Sequence, residues 1–425
     1  MAPSPAAKLP FKARINAWMD KSSKASLVLV FLAFPMSVAL TNVLMLCTLL
    51  FWLAKLATEP ALPVLKKAWA NPITPPALAL AAWIVMAAAW SPADWIAILG
   101  FFQKYLKFLL LPIFVSILAD KSTRRKSAMA FAVAMLFTLL STYLNIWFDL
   151  PWSRTHNQGW GANHTVFKDY ISQGVMMSLF TCLSAFWALK ARSVRTALAW
   201  WTVAALAAVS ILFLSSGRTG FLALLMAIGI FSLFTWGVTK KRAAMALGMT
   251  VLGFAVIFVI SPQFQQRTQQ AWQEAKTVNN QTLTSIGVRL QVTRFALDSA
   301  AQQPLFGHGT ASFPVLAKAH YGEGPTCATI CPHPHNQFVF FLFEQGLVGL
   351  MLFLWFMAQI VRHGLKQEPA QRGLMLAFVG IMAANSMTHS AFWLSTESHF
   401  MILITALLMA SAYDLKTAKL NGNSA

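Results

Sequence analysis

Acidic residues are scarce in this chain of 425: 13 Asp and Glu stand against 33 Lys and Arg. That scarcity argues against a carboxylate-built metal centre, because hard divalent ions are held by clustered Asp and Glu oxygens. No Asp-x-Asp pair, His-Glu-x-x-His helix or Gly-rich phosphate loop occurs, so neither a metal nor a cofactor is expected. Charge of either sign is also low, 11% of residues against 57% hydrophobic, with a mean hydropathy of +0.59. A soluble globule is excluded, since so much apolar surface needs lipid as its solvent. Cysteines number four. Cys47 and Cys182 fall inside apolar runs and read as inert; Cys327 and Cys331 lie four apart in a polar stretch, as a disulfide or as free thiols. No cleavable leader is evident, because the first 25 residues are polar and basic and run into apolar sequence without a small-residue cleavage site.

The net charge of +20 raises the question of nucleic acid. The basic residues, however, lie in blocks between apolar runs of spanning length, which membrane topology explains, so no nucleic acid is expected. Spanning takes roughly 20 apolar residues, and about twelve segments qualify: 26–40, 41–58, 74–90, 98–118, 127–147, 169–189, 196–214, 219–237, 243–260, 336–360, 372–388 and 398–413. Pro35, Ser37 and Thr41-Asn42 split the first two. Most Lys and Arg then flank one membrane side, including Lys55, Lys66, Arg124, Arg125, Lys190, Lys240, Arg362 and Lys366. By the positive-inside rule that side and both termini are cytoplasmic. The expected class is an all-α polytopic membrane protein, surrounded by membrane lipids. Its parts are a cytoplasmic segment 1–25, helices one to nine over 26–260, an outer loop domain over 261–335, helices ten to twelve over 336–413, and a cytoplasmic tail 414–425.

Two outer loops are long. Residues 148–168 show no periodicity and read as irregular. In the larger loop, 263–276 is polar and helix-compatible, and 285–302 (SIGVRLQVTRFALDSAAQ) spaces Ile286, Leu290 and Leu297 on one face with Val288, Val292 and Phe295 beside it. This is an amphipathic helix at the membrane surface carrying Arg289 and Arg294. Most of the 16 Trp belong to interfacial belts; Trp152, Trp160 and Trp272, in outer loops, are the ones placed to meet a sugar.

With few carboxylates outside, cations are the groups available to hold an anion, and guanidinium binds phosphate in a bidentate, charge-assisted way at any working pH. Arg218 follows a Ser-Ser-Gly hinge (SSGRTG) on the side that the positive-inside rule depletes of cations; the bland reading is a snorkelling anchor. Arg289 is either a ligand to phosphate or part of a solvated face. Lys104 and Lys107, one turn apart in helix four, face a shared cavity or snorkel to its mouth. Arg154 is a further, weaker member of the set. His335 sits just before helix ten, held by Pro332 and Pro334 and followed by Asn336, where a neutral imidazole can act as a general base on a hydroxyl. His333, His308 and His320 compete with it, and the ordinary reading of any one of them is a surface histidine.

Three stretches together resemble the O-antigen ligase and polymerase superfamily of bacterial membrane glycosyltransferases: SSGRTG, then SIGVR followed by PLFGHGT, and the junction HPHNQFVFFLFEQGLVGL. Carried over residue by residue, the resemblance implies His335 as the essential histidine, Arg218 and Arg289 as essential arginines at a donor diphosphate, and Glu344 and Gly346 as structural residues. It implies transfer of a preassembled glycan from undecaprenyl diphosphate to the lipid A core oligosaccharide, on the periplasmic face of the inner membrane. Single displacement inverts the anomeric centre, and no carboxylate pair is placed for a covalent intermediate. A polymerase or a protein O-oligosaccharyltransferase of the same superfamily would use similar chemistry. A lipid-linked glycan flippase is the reading from another class; it requires repeat symmetry and broken helices at mid-membrane.

Overall fold

The structure, a computed structural model, describes residues 11–58, 61–237 and 285–414, with scattered positions between 239 and 273. Among these every regular element is helical, and eight helices are long and apolar enough to cross a membrane. The first pair is α1 (Phe11–Ala33) and α2 (Val38–Thr58), separated by a turn at 34–37 where Ser37 Oγ accepts from Leu40 N. The expected split at Pro35 is therefore present, but α1 begins in the basic segment, fifteen residues ahead of the expected 26. A short α3 (Ala61–Trp69) leads to α4 (Thr74–Met86), which tightens into a 3₁₀ turn over Ala87–Trp90. The expected helix 98–118 is two helices, α5 (Trp95–Tyr105) and α6 (Lys107–Leu118), interrupted at Leu106, where Leu109 N bonds Leu106 O across a tightened turn. Then follow α7 (Lys121–Leu144), α8 (Tyr170–Lys190), α9 (Val194–Phe213) and α10 (Arg218–Trp236). Segments 243–260 and 263–276 fall largely outside the described residues.

The few acids are spent on helix starts. Asp94, Asp120 and Asp169 each accept from a backbone N–H in the first turn of α5, α7 and α8, and Ser193 does the same for α9. Helices α8 and α10 cross at bare backbone: a Cβ on Gly174 would lie 3.0 Å from Gly220 Cα, a small-residue contact of the kind membrane helices use.

The outer segment contributes α11 (Ser285–Ala300), α12 (Ser312–Tyr321) and the one-turn-and-a-half α13 (Pro325–Ile330). On α11, Val288, Val292, Ala296 and Ala300 are buried, because this side of the helix packs on α14 (Gln337–Gly364), while Leu290 and Leu297 of the expected apolar face are exposed. Two more helices, α15 (Pro369–Thr388) and α16 (Ser395–Met409), close the bundle.

Helix α14 is broken at Gly346 (φ 65°, ψ −169°). A continuous helix would bond Leu347, Val348 and Gly349 back to Phe343, Glu344 and Gln345. Here the 304–309 turn takes those places: His308 N and Gly309 N donate to the carbonyls of Phe343 and Glu344, while Leu347 N and Val348 N donate to Pro304 O and Leu305 O. Trp83 Nε1 satisfies Gln345 O at 2.9 Å. Irregular backbone is tolerated at membrane depth only when protein supplies such partners. Gly346 has no room for a side chain, since a Cβ would sit 2.2 Å from Leu305 O. Gly346→Ala is therefore expected to lower the thermal unfolding temperature in detergent, combining that overlap with roughly 1–3 kcal/mol of backbone strain. Gly100→Ala, where a Cβ meets open space, should not lower it; equal behaviour of the two variants would contradict this account of the break.

Candidate active site

The approach to α14 is stiffened three times. Cys327 and Cys331 form a disulfide at the end of α13. Pro332 and Pro334 restrict the backbone, and Asn336 Oδ1 accepts from Phe338 N and Val339 N, capping α14. Between these constraints His335 adopts a left-handed φ of 54°, a conformation a non-glycine residue holds only when its surroundings impose it. His335 N donates to His333 Nδ1 at 3.3 Å, and the two rings lie 4.2 Å apart. An Nδ1 that accepts leaves the proton on Nε2 of a neutral ring. Burial, then His335, His389, Lys104 and Arg289, push the His333 imidazole down to about 2. His333 is thus a fixed neutral donor, and His335 is the half-buried imidazole of the pair.

A third histidine completes the cluster. His389, at the end of α15, stacks 5.8 Å from His335 and stands edge-on to His333 at 5.7 Å. Its Nδ1 lies 3.3 Å from Glu397 Oε1, without hydrogen-bond alignment. Glu397 is buried in the first turn of α16. Ser172 Oγ reaches both Glu397 Oε1 at 2.8 Å and Asp169 Oδ2 at 2.7 Å, and its single proton can serve only one carboxylate at a time.

Cations gather at the same end of the bundle. Lys104 Nζ sits 4.3 Å over the Trp393 ring, and that ring is 4.8 Å from His333. Lys107 is buried; its Nζ donates to Ser398 Oγ at 2.8 Å and approaches Lys104 O at 3.4 Å. Although α5 and α6 are separate helices, the two ammonium groups therefore remain neighbours, as their spacing suggested. Arg289, half-buried on α11, is close enough to influence His333. Arg218 opens α10, whose Thr219 Oγ1 donates to Thr388 Oγ1 at 3.1 Å, next to His389. Arg154 is exposed in the 145–169 loop, and no hydrogen bond or ion pair joins its side chain to the cluster among the described residues. His308 is engaged elsewhere, with Nε2 at 2.9 Å from Ser299 O, and His320 stacks on Phe295. Among the described residues no three His, Cys, Asp or Glu side chains are placed to share a metal ion.

Two cavities meet at Lys104 and Trp393. One, of about 370 Å³, has Lys104, Lys107, Asn42 and Ser395 at its polar end and Leu46 and Leu49 along its walls. The other, of about 560 Å³, is bounded by Trp393, Pro332, the disulfide and Lys318.

His389, Trp393, Glu397 and Lys168 were not legible as site residues. The one signal for the first three is the polar interruption between two apolar runs, SMTHSAFWLSTES, at the membrane side where His335 emerges. Trp152 and Trp160, expected near a sugar, instead lie on Phe137 and Phe213.

Compared with known proteins, residues 203–354 match the family model described as O-Antigen ligase. The matched stretch runs from α9 into α14 and contains Arg218, Arg289, His333 and His335; Lys104, His389, Trp393 and Glu397 lie outside it. No curated protein matches the chain.

Lys168 lies buried just before α8. Burial pulls its ammonium down to about 8 from 10.5, although Asp169 and Glu397 act to raise it. Unfolding then takes up protons between those two values, so stability rises with pH across that window. Lys168→Met is expected to be more stable than the parent at neutral pH, with the difference narrowing toward pH 10.5. Thermal unfolding of both proteins across that range checks this; a difference independent of pH would contradict it.

Proposed function

We propose, from the match of residues 203–354 to the O-Antigen ligase family model, that this multi-pass membrane protein is a glycosyltransferase of the periplasmic face. It moves a preassembled O-antigen glycan from undecaprenyl diphosphate to the lipid A core oligosaccharide. The observation that carries the proposal is the meeting of three imidazoles with Lys104 and Arg289 at one end of the bundle.

The leaving group is a diphosphate, so charge builds on its bridging oxygen as the glycosidic bond breaks. Fixed cations aimed at that oxygen stabilise the transition state more than the ground state. Arg218, Arg289, Lys104 and Lys107 fill that role, with the polyprenyl chain along the aliphatic wall of the 370 Å³ cavity. The acceptor enters from the 560 Å³ cleft on the other side of Trp393. Its hydroxyl oxygen attacks the anomeric carbon in line, its proton passes to His335, and the electron pair of the breaking bond leaves with the diphosphate. Inversion follows from a single displacement. His335 is favoured as the base because His333 is a poor one, and the His389–Glu397 pair behind His335 stabilises the imidazolium that forms, as a carboxylate does behind a catalytic imidazole. Asn336 acts through the backbone, by fixing the start of α14.

Purified protein given lipid-linked O-antigen and lipid A core should transfer glycan equally with and without chelator. His335→Ala is expected to lose at least about 10²-fold in turnover, and Arg218→Ala and Arg289→Ala about 10²–10³-fold each. Retained turnover in His335→Ala would remove the base from the mechanism.

A further inference from the structure

At the opposite end of the bundle, where α7 and α15 begin and α8 and α16 end, lies a cavity of about 880 Å³. Lys121, Arg124, Arg125, Lys190 and Lys366 rim it, against Glu368 and Asp414. The two acids are already engaged: Glu368 pairs with Lys190, and Asp414 with Arg124 at 2.5 Å and Lys121 at 3.8 Å. Arg125 and Lys366 form no ion pair among the described residues, and the buried Nη1 of the half-buried Arg124 has no hydrogen-bond partner. Below this rim the walls turn apolar with Met129, Leu183, Phe186 and Leu407, and the Trp187 and Trp200 rings meet at 4.8 Å beside them.

We propose that this cavity binds one anionic phospholipid. Its headgroup phosphate sits among Arg124, Arg125 and Lys366, and an acyl chain descends between Leu183 and Met129. Three features select this ligand. The cations exceed the acids and leave donors uncommitted, so the site is built for a negative group. The apolar wall continues directly from the cationic rim, the profile of a headgroup joined to a chain and unlike that of a free inorganic anion. The paired Trp rings lie beside the cationic rim, the place aromatic side chains take next to a headgroup layer. Basic pockets between helices at this membrane level are the sites that take phosphate headgroups. The cavity is separated from the histidine cluster by the length of α8, so it is distinct from the proposed glycosyl-transfer site and does not rest on that reading.

Native mass spectrometry of the full chain tests the proposal, with phosphatidylglycerol, phosphatidylcholine and inorganic phosphate added in separate arms. One phosphatidylglycerol should be retained in preference to phosphatidylcholine, and the phosphate arm should show no adduct. In the double variant Arg125→Gln/Lys366→Gln, whose exposed side chains leave folding intact, retention should weaken about 30-fold, the effect of two basic groups at an anionic lipid. Undiminished phosphatidylglycerol in the variant, equal retention of phosphatidylcholine, or capture of inorganic phosphate alone would each overturn it.

Discussion

A helix can break inside hydrocarbon only if every backbone group it releases finds a partner, since each one left bare costs several kcal/mol. The break in α14 meets that condition through the turn of residues 304–309, which takes over hydrogen bonds on both sides of Gly346, and through Trp83 Nε1, which donates to Gln345 O. The same turn is tied to the α4 end, where Trp90 Nε1 donates to Gly307 O at 3.1 Å and Ser91 Oγ to Thr310 O at 2.6 Å. Because α11 ends just before this turn and α14 is gripped by it, backbone hydrogen bonds link the helix carrying Arg289 to the one that His335 precedes. Glu344 adds a side-chain link, accepting from Phe313 N at the start of α12. A loop domain that would otherwise float over the bundle becomes part of it.

On that frame the site collects positive charge. Lys104 rests on an aromatic face and Lys107 on a hydroxyl, both neutral partners, while Glu397 is shared between His389 and Ser172. Holding cations away from water in this way costs stability, and burial likewise lowers the Lys168 ammonium just before α8. The diphosphate of the proposed donor would offset that cost. The arrangement suits a ligand that brings two or more negative charges and releases them attached to a leaving group.

The sequence disclosed the parts of this better than their contacts. Apolar run length located the eight described helices long and apolar enough to span, and the Pro-His-Asn punctuation located the start of α14, because backbone restriction and N-capping are local effects. Which face of α11 packs on the bundle has a non-local cause. Leu290 and Leu297 are the larger hydrophobes, yet the tight approach to α14 selects Val292 and Ala296. His389 and Glu397 stayed hidden because neither carries a pattern of its own; only the return of α15 and α16 to the His335 end gives them meaning. Gly346 and the 304–309 turn lie about forty residues apart in sequence, and no periodicity links a helix break to the loop that fills it.

The central claim is that side chains from α5, α10 and α11 grip one diphosphate beside His335. Equilibrium binding of undecaprenyl diphosphate to the purified protein, in the absence of any acceptor, tests it most directly. Removing either arginine, as Arg218→Ala or Arg289→Ala, should weaken binding about 10–100-fold, the worth of a charge-assisted hydrogen bond, and His335→Ala should leave it nearly unchanged. Unaltered affinity in both arginine variants would contradict the claim.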